Sequence, residues 1–139
     1  SQRHLSVNRK IIKPWGYEEI WAKTAHYVGK ILFIKKGHRL SLQHHQHKEE
    51  NIRLIKGKLR LTIGEELKTL QVLDLLPGDT AHIRPKIIHR MEAIEECEIV
   101  EVSTPELHDI IRHEDDYGRT KPSTPLNEPT GPFDKGKMI

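Results

Sequence analysis

Residues 37–57, GHRLSLQHHQHKEENIRLIKG, concentrate the side chains able to do chemistry. Gln43, His45 and His47 recur at two-residue spacing, and Glu50 follows five residues after His45. Side chains two apart on a strand share a face. Arg39, Ser41, Gln43 and His45 therefore point one way, and Leu40 and Leu42 the other. An amide oxygen, an imidazole and a carboxylate, joined by a later histidine on a neighbouring strand, would make a site for a divalent metal ion. Ten histidines are many for 139 residues, and six of them fall between His38 and His89.

Such a set needs strands to hold it. YVGKILFIKK (27–36) reads as a strand ended by Gly37, and 38–45 as the donor-bearing strand. A turn covers 45–50, and strands are expected at 51–56 and 59–64. Pro77-Gly78-Asp79 is a strong turn signal. Short strands at 80–84 and 87–93 flank a bend at Pro85, and CEIVEVST (97–104) is a further strand. Many short strands with frequent turns argue for an all-β sandwich or barrel. Thr104-Pro105-Glu106 has the chemistry of a helix start, with Leu107, Ile110 and Ile111 as its apolar stripe and Gly118 as its end. Residues 1–9 read as a polar arm. From Thr120 the chain is Pro-rich and aperiodic, a mobile tail or one that drapes over a partner subunit.

The central stretch resembles the first cupin motif, G-x5-H-x-H-x(3,4)-E-x6-G. Gly37, Gln43, His45, Glu50 and Gly57 occupy its fixed positions, with Gln43 in place of the first histidine. The second motif, G-x5-P-x-G-x2-H-x3-N, is matched more loosely by Gly78 and His89. Arg84, Lys86 and Ala93 stand where that motif has Pro, Gly and Asn. KPWGYEEIW, RLSLQHHQHKEE and DIIRHEDDYGR, in that order, are similar to the cupin domain of type II mannose-6-phosphate isomerases, over about residues 10–119. The resemblance implies a double-stranded β-helix, the small jelly-roll barrel of cupins, with a short C-terminal helix. It implies one divalent ion on Gln43, His45, Glu50 and His89, zinc first, with manganese, iron, cobalt or nickel open. His47 is the alternative to Gln43 in that set. The implied activity is interconversion of aldose and ketose phosphates. Other metal-dependent cupin chemistry (another sugar isomerase or epimerase, a decarboxylase, a dioxygenase) or non-catalytic binding of a sugar or another small acid stays open. Guanylyl transfer, the other activity of bifunctional relatives, is not expected, because no Gly-rich phosphate loop is visible.

Around the metal, an unligated carboxylate is a candidate base. Ile99, Glu101 and Ser103 share a face, so Glu101 lines the pocket if Val100 and Val102 face outward. His82 is the second acid/base candidate, since imidazole titrates near neutrality. Arg39, Ser41, Arg84, Lys86 and Lys13 are candidates for an anionic substrate. For Arg39, a salt bridge at the barrel rim is the other reading. Arg112 cannot be placed by spacing.

Composition sets the outer bounds. The length suits one domain with a real core. Charged residues are 31%, mean hydropathy is −0.63 and net charge is +3. Basic residues are spread along the chain, which argues against a nucleic-acid partner. One cysteine, Cys97, precludes an internal disulfide and suits a reducing compartment. No stretch is apolar enough to span a bilayer, and no signal peptide is visible, so a cytoplasmic location is expected. A homodimer that buries sheet edges is the expected state.

Overall fold

The computed structural model describes residues 4–106 and 108–120. It is an antiparallel all-β barrel of nine strands: β1 (Arg9–Lys13), β2 (Gly16–Lys23), β3 (Val28–Ile34), β4 (Leu42–His44), β5 (Glu50–Gly64), β6 (Gln71–Leu75), β7 (Thr80–Ile83), β8 (Ile88–Ser103) and β9 (Ile111–Glu114). β8 is the spine, pairing with β3, β4 and β5 along its 16 residues. β5 pairs in turn with β6 and β7, so the sheet curls around the main apolar core, with a smaller cluster of Ile11, Ile20 and Val28 beside it. Leu54, Leu59, Leu61, Ile83, Cys97 and Ile99 fill the main core, and Trp15 caps it.

Two expected pairs of strands are each one long strand. The runs at 51–56 and 59–64 join as β5, and those at 87–93 and 97–104 join as β8. Gly57 explains the first. Its φ of +99° and the 2.1 Å that would separate a Cβ from the Glu96 carbonyl oxygen demand glycine. It marks a bulge, not a chain reversal. The register against β8 shifts between Leu54 and Leu59, and the buried positions change from Glu50, Ile52 and Leu54 to Leu59 and Leu61. The extra residue flips the face parity of one continuous strand.

The expected C-terminal helix is not formed. Residues 111–114 are β9, which pairs with β4 through Leu42↔Glu114, Gln43↔Arg112 and His44↔Ile111. The short β4 presents an unpaired edge, and a strand that satisfies it outweighs a local helix signal. Thr104 does not cap a helix: its Oγ1 accepts the Glu49 N–H (3.0 Å) and donates to Glu106 (2.8 Å). Leu107 and the tail from 121 lie outside the described residues. The donor strand is also shorter than expected, since Arg39 makes an isolated bridge to Glu92 before β4 begins.

Candidate metal centre and its cavity

Strand register explains how the donors meet. Gln43 of β4 is the direct partner of His89 of β8, so their side chains share the inward face. Glu50 opens β5 opposite Ser103, and Glu101 lies opposite Ile52. His45 leaves the end of β4 on the same side. The result is a cavity lined by Ser41, Gln43, His45, Lys48, Glu50, His89 and Glu101, all buried.

His45, Glu50 and His89 each bring one ligand atom within 4.8 Å of the others. His45 Nε2 is 3.7 Å and His89 Nε2 3.5 Å from the Glu50 carboxylate. Both rings are fixed from behind. His45 Nδ1 donates to the Asp109 carbonyl at 2.5 Å, and His89 Nδ1 faces the Ile87 carbonyl at 3.0 Å. An Nδ1–H held by a carbonyl leaves Nε2 as a free lone pair, the tautomer a metal ligand needs. Burial pushes the His45 pKa down, against the pull of Glu50, and keeps the ring neutral. Glu50 is held well below the usual carboxylate range by Lys48 and the two histidines, despite burial that opposes ionisation. Two imidazoles, an ionised carboxylate and the adjacent amide of Gln43 are a donor set suited to a divalent cation. The Ser41 hydroxyl, buried in the same wall, has no hydrogen-bond partner among the described residues.

Lys48 has no counterpart in the expected site. Its Nζ lies 3.1 Å from both Glu50 and Glu101, and all three side chains are buried. Burial alone would lower its pKa, but the two carboxylates more than reverse that, and it stays a cation. The signal was present in the sequence as a lysine two residues before the carboxylate. The turn conformation that folds it inward was not.

Asp109 is the other unforeseen residue. Its carboxylate accepts the backbone N–H groups of Gln46, His47 and Lys48 at 2.9, 2.6 and 2.9 Å. Those three amides outweigh its partial desolvation and lower its pKa. One residue thus pins the turn between the donors and, through its carbonyl, orients His45. Asp109→Ala is expected to weaken metal binding about 10–100-fold while leaving the stoichiometry intact at saturating metal. Calorimetric titration against the wild-type chain checks this.

Several expected site residues lie elsewhere. His82 pairs in register with Asn51, the outward parity of β5, and is half-exposed against Glu49. Arg39 is turned away from the cavity by a bidentate pair with Asp116 at 2.7 and 2.9 Å. Arg84 and Lys86 are exposed in the loop between β7 and β8. Lys86, standing where the motif has glycine, takes a φ of +71°, and its N–H donates to the His45 carbonyl at 2.6 Å. The loop needs a left-handed residue there, and lysine supplies it at some strain. His47 is exposed. Ser41, Glu101 and Lys13 do line the cavity, together with Glu18, Lys30, Arg112 and Arg119.

An all-β barrel with histidine and carboxylate donors on its inward face defines a protein of the cupin class. Solved structures agree on the fold: oxalate decarboxylase from Bacillus subtilis superposes with a TM-score of 0.68 at 18% identity, over 76% of this chain and 30% of that one. KdgF from Halomonas sp. gives 0.61 at 17% identity, over 68% and 84%. The chain belongs to the family described as mannose-6-phosphate isomerase C-terminal, whose model matches residues 1–116. Xanthan biosynthesis protein XanB of Xanthomonas campestris is 32% identical over 118 residues, 81% of this chain and 24% of that protein. Alginate biosynthesis protein AlgA of Pseudomonas putida is 32% identical over 131 residues, covering 91% and 25%. Mannose-1-phosphate guanylyltransferase ManC of Salmonella typhimurium is 31% identical over 119, covering 81% and 24%. The chain spans about a quarter of the length of these curated relatives.

Proposed function

We propose that this chain is a metal-dependent isomerase domain that interconverts an aldose phosphate and a ketose phosphate, most like mannose-6-phosphate isomerase. The observation that carries the reading is the buried His45, Glu50, His89 cluster beside a further buried carboxylate, Glu101, in a chain of that family. Gln43, His45, Glu50 and His89 are the proposed ligands, and zinc suits two nitrogen and two oxygen donors. The ion, when bound, supplies a Lewis acid for the substrate's carbonyl oxygen. Glu101 is the proposed base that carries a proton between the carbonyl carbon and its neighbour. Lys48 keeps Glu101 oriented and offsets its charge. The apolar wall of Trp15, Leu32, Leu40 and Met91 limits the water that reaches the reacting carbons.

The test is turnover of fructose 6-phosphate and mannose 6-phosphate by the zinc-reconstituted chain. Glu101→Gln is expected to lower kcat by about 10²–10⁴-fold with metal content unchanged, the usual contribution of a positioned base. A reconstituted chain that binds its ion but turns over no aldose–ketose phosphate pair would overturn the reading. Unchanged kcat in Glu101→Gln would remove that residue from the mechanism.

A further inference from the structure

The cavity receives a second set of charged side chains, from β1, β2, β3, β9 and the turn after β9. Lys30 and Glu18 form a buried ion pair at 3.5 Å. The Arg119 guanidinium donates a bidentate pair of hydrogen bonds to the Asp115 carboxylate, at 2.9 and 2.8 Å. Lys13 is different: it is 6% exposed and, among the described residues, makes no ion pair or hydrogen bond through its ammonium. Its favourable neighbour, Glu18, is already engaged with Lys30, while Lys30, Arg119 and Arg112 repel it. Arg112 also carries a buried Nε without a partner among those residues. Four cations thus face two carboxylates, a surplus of two positive charges on one wall. No ion pair joins this wall to the Lys48 cluster among the described residues.

Lys13 is a buried residue whose ammonium lines the cavity, and a cation held in such a place without a counterion is a costly feature. We propose that Lys13 and Arg112 form an anion subsite for the dianionic phosphate of a phosphate monoester, with the Lys30–Glu18 and Arg119–Asp115 pairs as its flanks. This rests on the reading of the cavity as a sugar-phosphate site. It moves the anion from the exposed Arg39, Arg84 and Lys86 to the interior, next to the β9 edge. The surplus of two charges matches a phosphate monoester better than a carboxylate. A guanidinium edge takes two phosphate oxygens, and an ammonium serves a third as a point charge. The substrate then spans the cavity, phosphate on Lys13 and Arg112 and hydroxyl or carbonyl oxygens toward Gln43, His45 and His89.

The pKa of Lys13 agrees with an unsatisfied cation. Burial and the cations Lys30, Arg119 and Arg112 bring it down to about 8, and Glu18 only partly opposes them. A lysine whose folded pKa lies below its unfolded value lowers stability under pH 8, and that penalty fades as pH rises toward 10.5.

Orthophosphate titrated calorimetrically into the full chain, after metal removal by chelation, tests the subsite without any turnover. The expected result is saturable binding that Lys13→Met and Arg112→Gln each weaken at least tenfold, with Arg84→Ala and Lys86→Ala within twofold of wild type. Without phosphate, Lys13→Met is expected to melt above wild type at pH 7, with the gain shrinking by pH 10. Phosphate is expected to raise the Tm of wild type and not of Lys13→Met. Should Arg112→Gln fail to fold, the Lys13→Met pair of measurements decides alone. Equal phosphate affinity in wild type and Lys13→Met, no saturable binding, or binding that requires metal and ignores Lys13 would each overturn the subsite. Metal content of the same samples is read separately: Lys13-dependent phosphate binding in a chain that takes up no metal would support the subsite and remove the isomerase reading.

Discussion

His89→Ala is expected to empty the metal centre. The wild-type chain, purified without chelator or nickel resin, should carry about one divalent ion, and the variant close to none. His89 is 1% exposed, its Nδ1 is aimed at a backbone carbonyl, and its Nε2 faces Glu50 at 3.5 Å. Its register partner Gln43 is already among the proposed donors. Loss of an outer-sphere partner alone weakens a site about 10–100-fold, so loss of a ligand exceeds that. Elemental analysis gives the stoichiometry, and competition against a chelator gives the affinity. Gln43→Ala should weaken the centre as well, whereas His47→Ala, at an exposed position, should leave it intact. Full metal content in folded His89→Ala would refute the centre. Loss in His47→Ala with retention in Gln43→Ala would shift the fourth donor to His47.

The difference between what was legible in the sequence and what was not has a physical pattern. Period-2 spacing put Ser41 and Gln43 on one face, and Glu101 inward of Val100 and Val102, because a regular strand fixes side-chain direction. Many short strands left a sandwich or a barrel open; the resemblance of Gly37, Gln43, His45, Glu50 and Gly57 to the first cupin motif is what implied the barrel. Period 2 misled wherever the backbone departed from it. The bulge at Gly57 joins the two strands expected at 51–56 and 59–64 into one. His82 shares a strand face with Arg84, but which face points inward is decided by pairing with β5, and Asn51 is its partner. Lys48 and Asp109 act from turns and loops, where direction has no period at all. β9 shows the limit of local signals: Thr104-Pro105-Glu106 carries good helix-start chemistry, yet the free edge of β4 recruits Ile111–Glu114 as a strand. Arg112 reaches the cavity through that pairing, which the sequence could not place.

Lys48→Met is expected to destabilise the metal-free chain by about 3–5 kcal/mol at neutral pH, the usual cost of stripping the partner from a buried ionic cluster. Glu50 and Glu101 are 2% and 4% exposed, and each lies 3.1 Å from the Lys48 ammonium. The folded pKa of Lys48 is raised above its ordinary 10.5, so its stabilising contribution is complete below that value and is lost only as pH rises through the folded pKa. Glu50 has the opposite sense. Its pKa is lowered, so its contribution is present above its ordinary 4.5 and is lost as pH falls through the folded value. At pH 7 both contributions are in force, and Lys48→Met removes their common source. With the ammonium gone, the buried Glu50 loses the main charge that favours its ionised form. Acidification from pH 7 toward 5 should therefore narrow the gap between variant and wild type. A bound divalent ion restores positive charge to Glu50, so added zinc should raise the variant's stability more than the wild type's. By the same linkage the variant should hold metal more tightly, since the ammonium no longer competes for Glu50. Urea denaturation with and without zinc measures all of this. Equal stability of the two metal-free chains, with equal response to zinc, would show that Lys48 neither holds the two carboxylates in place nor opposes the metal.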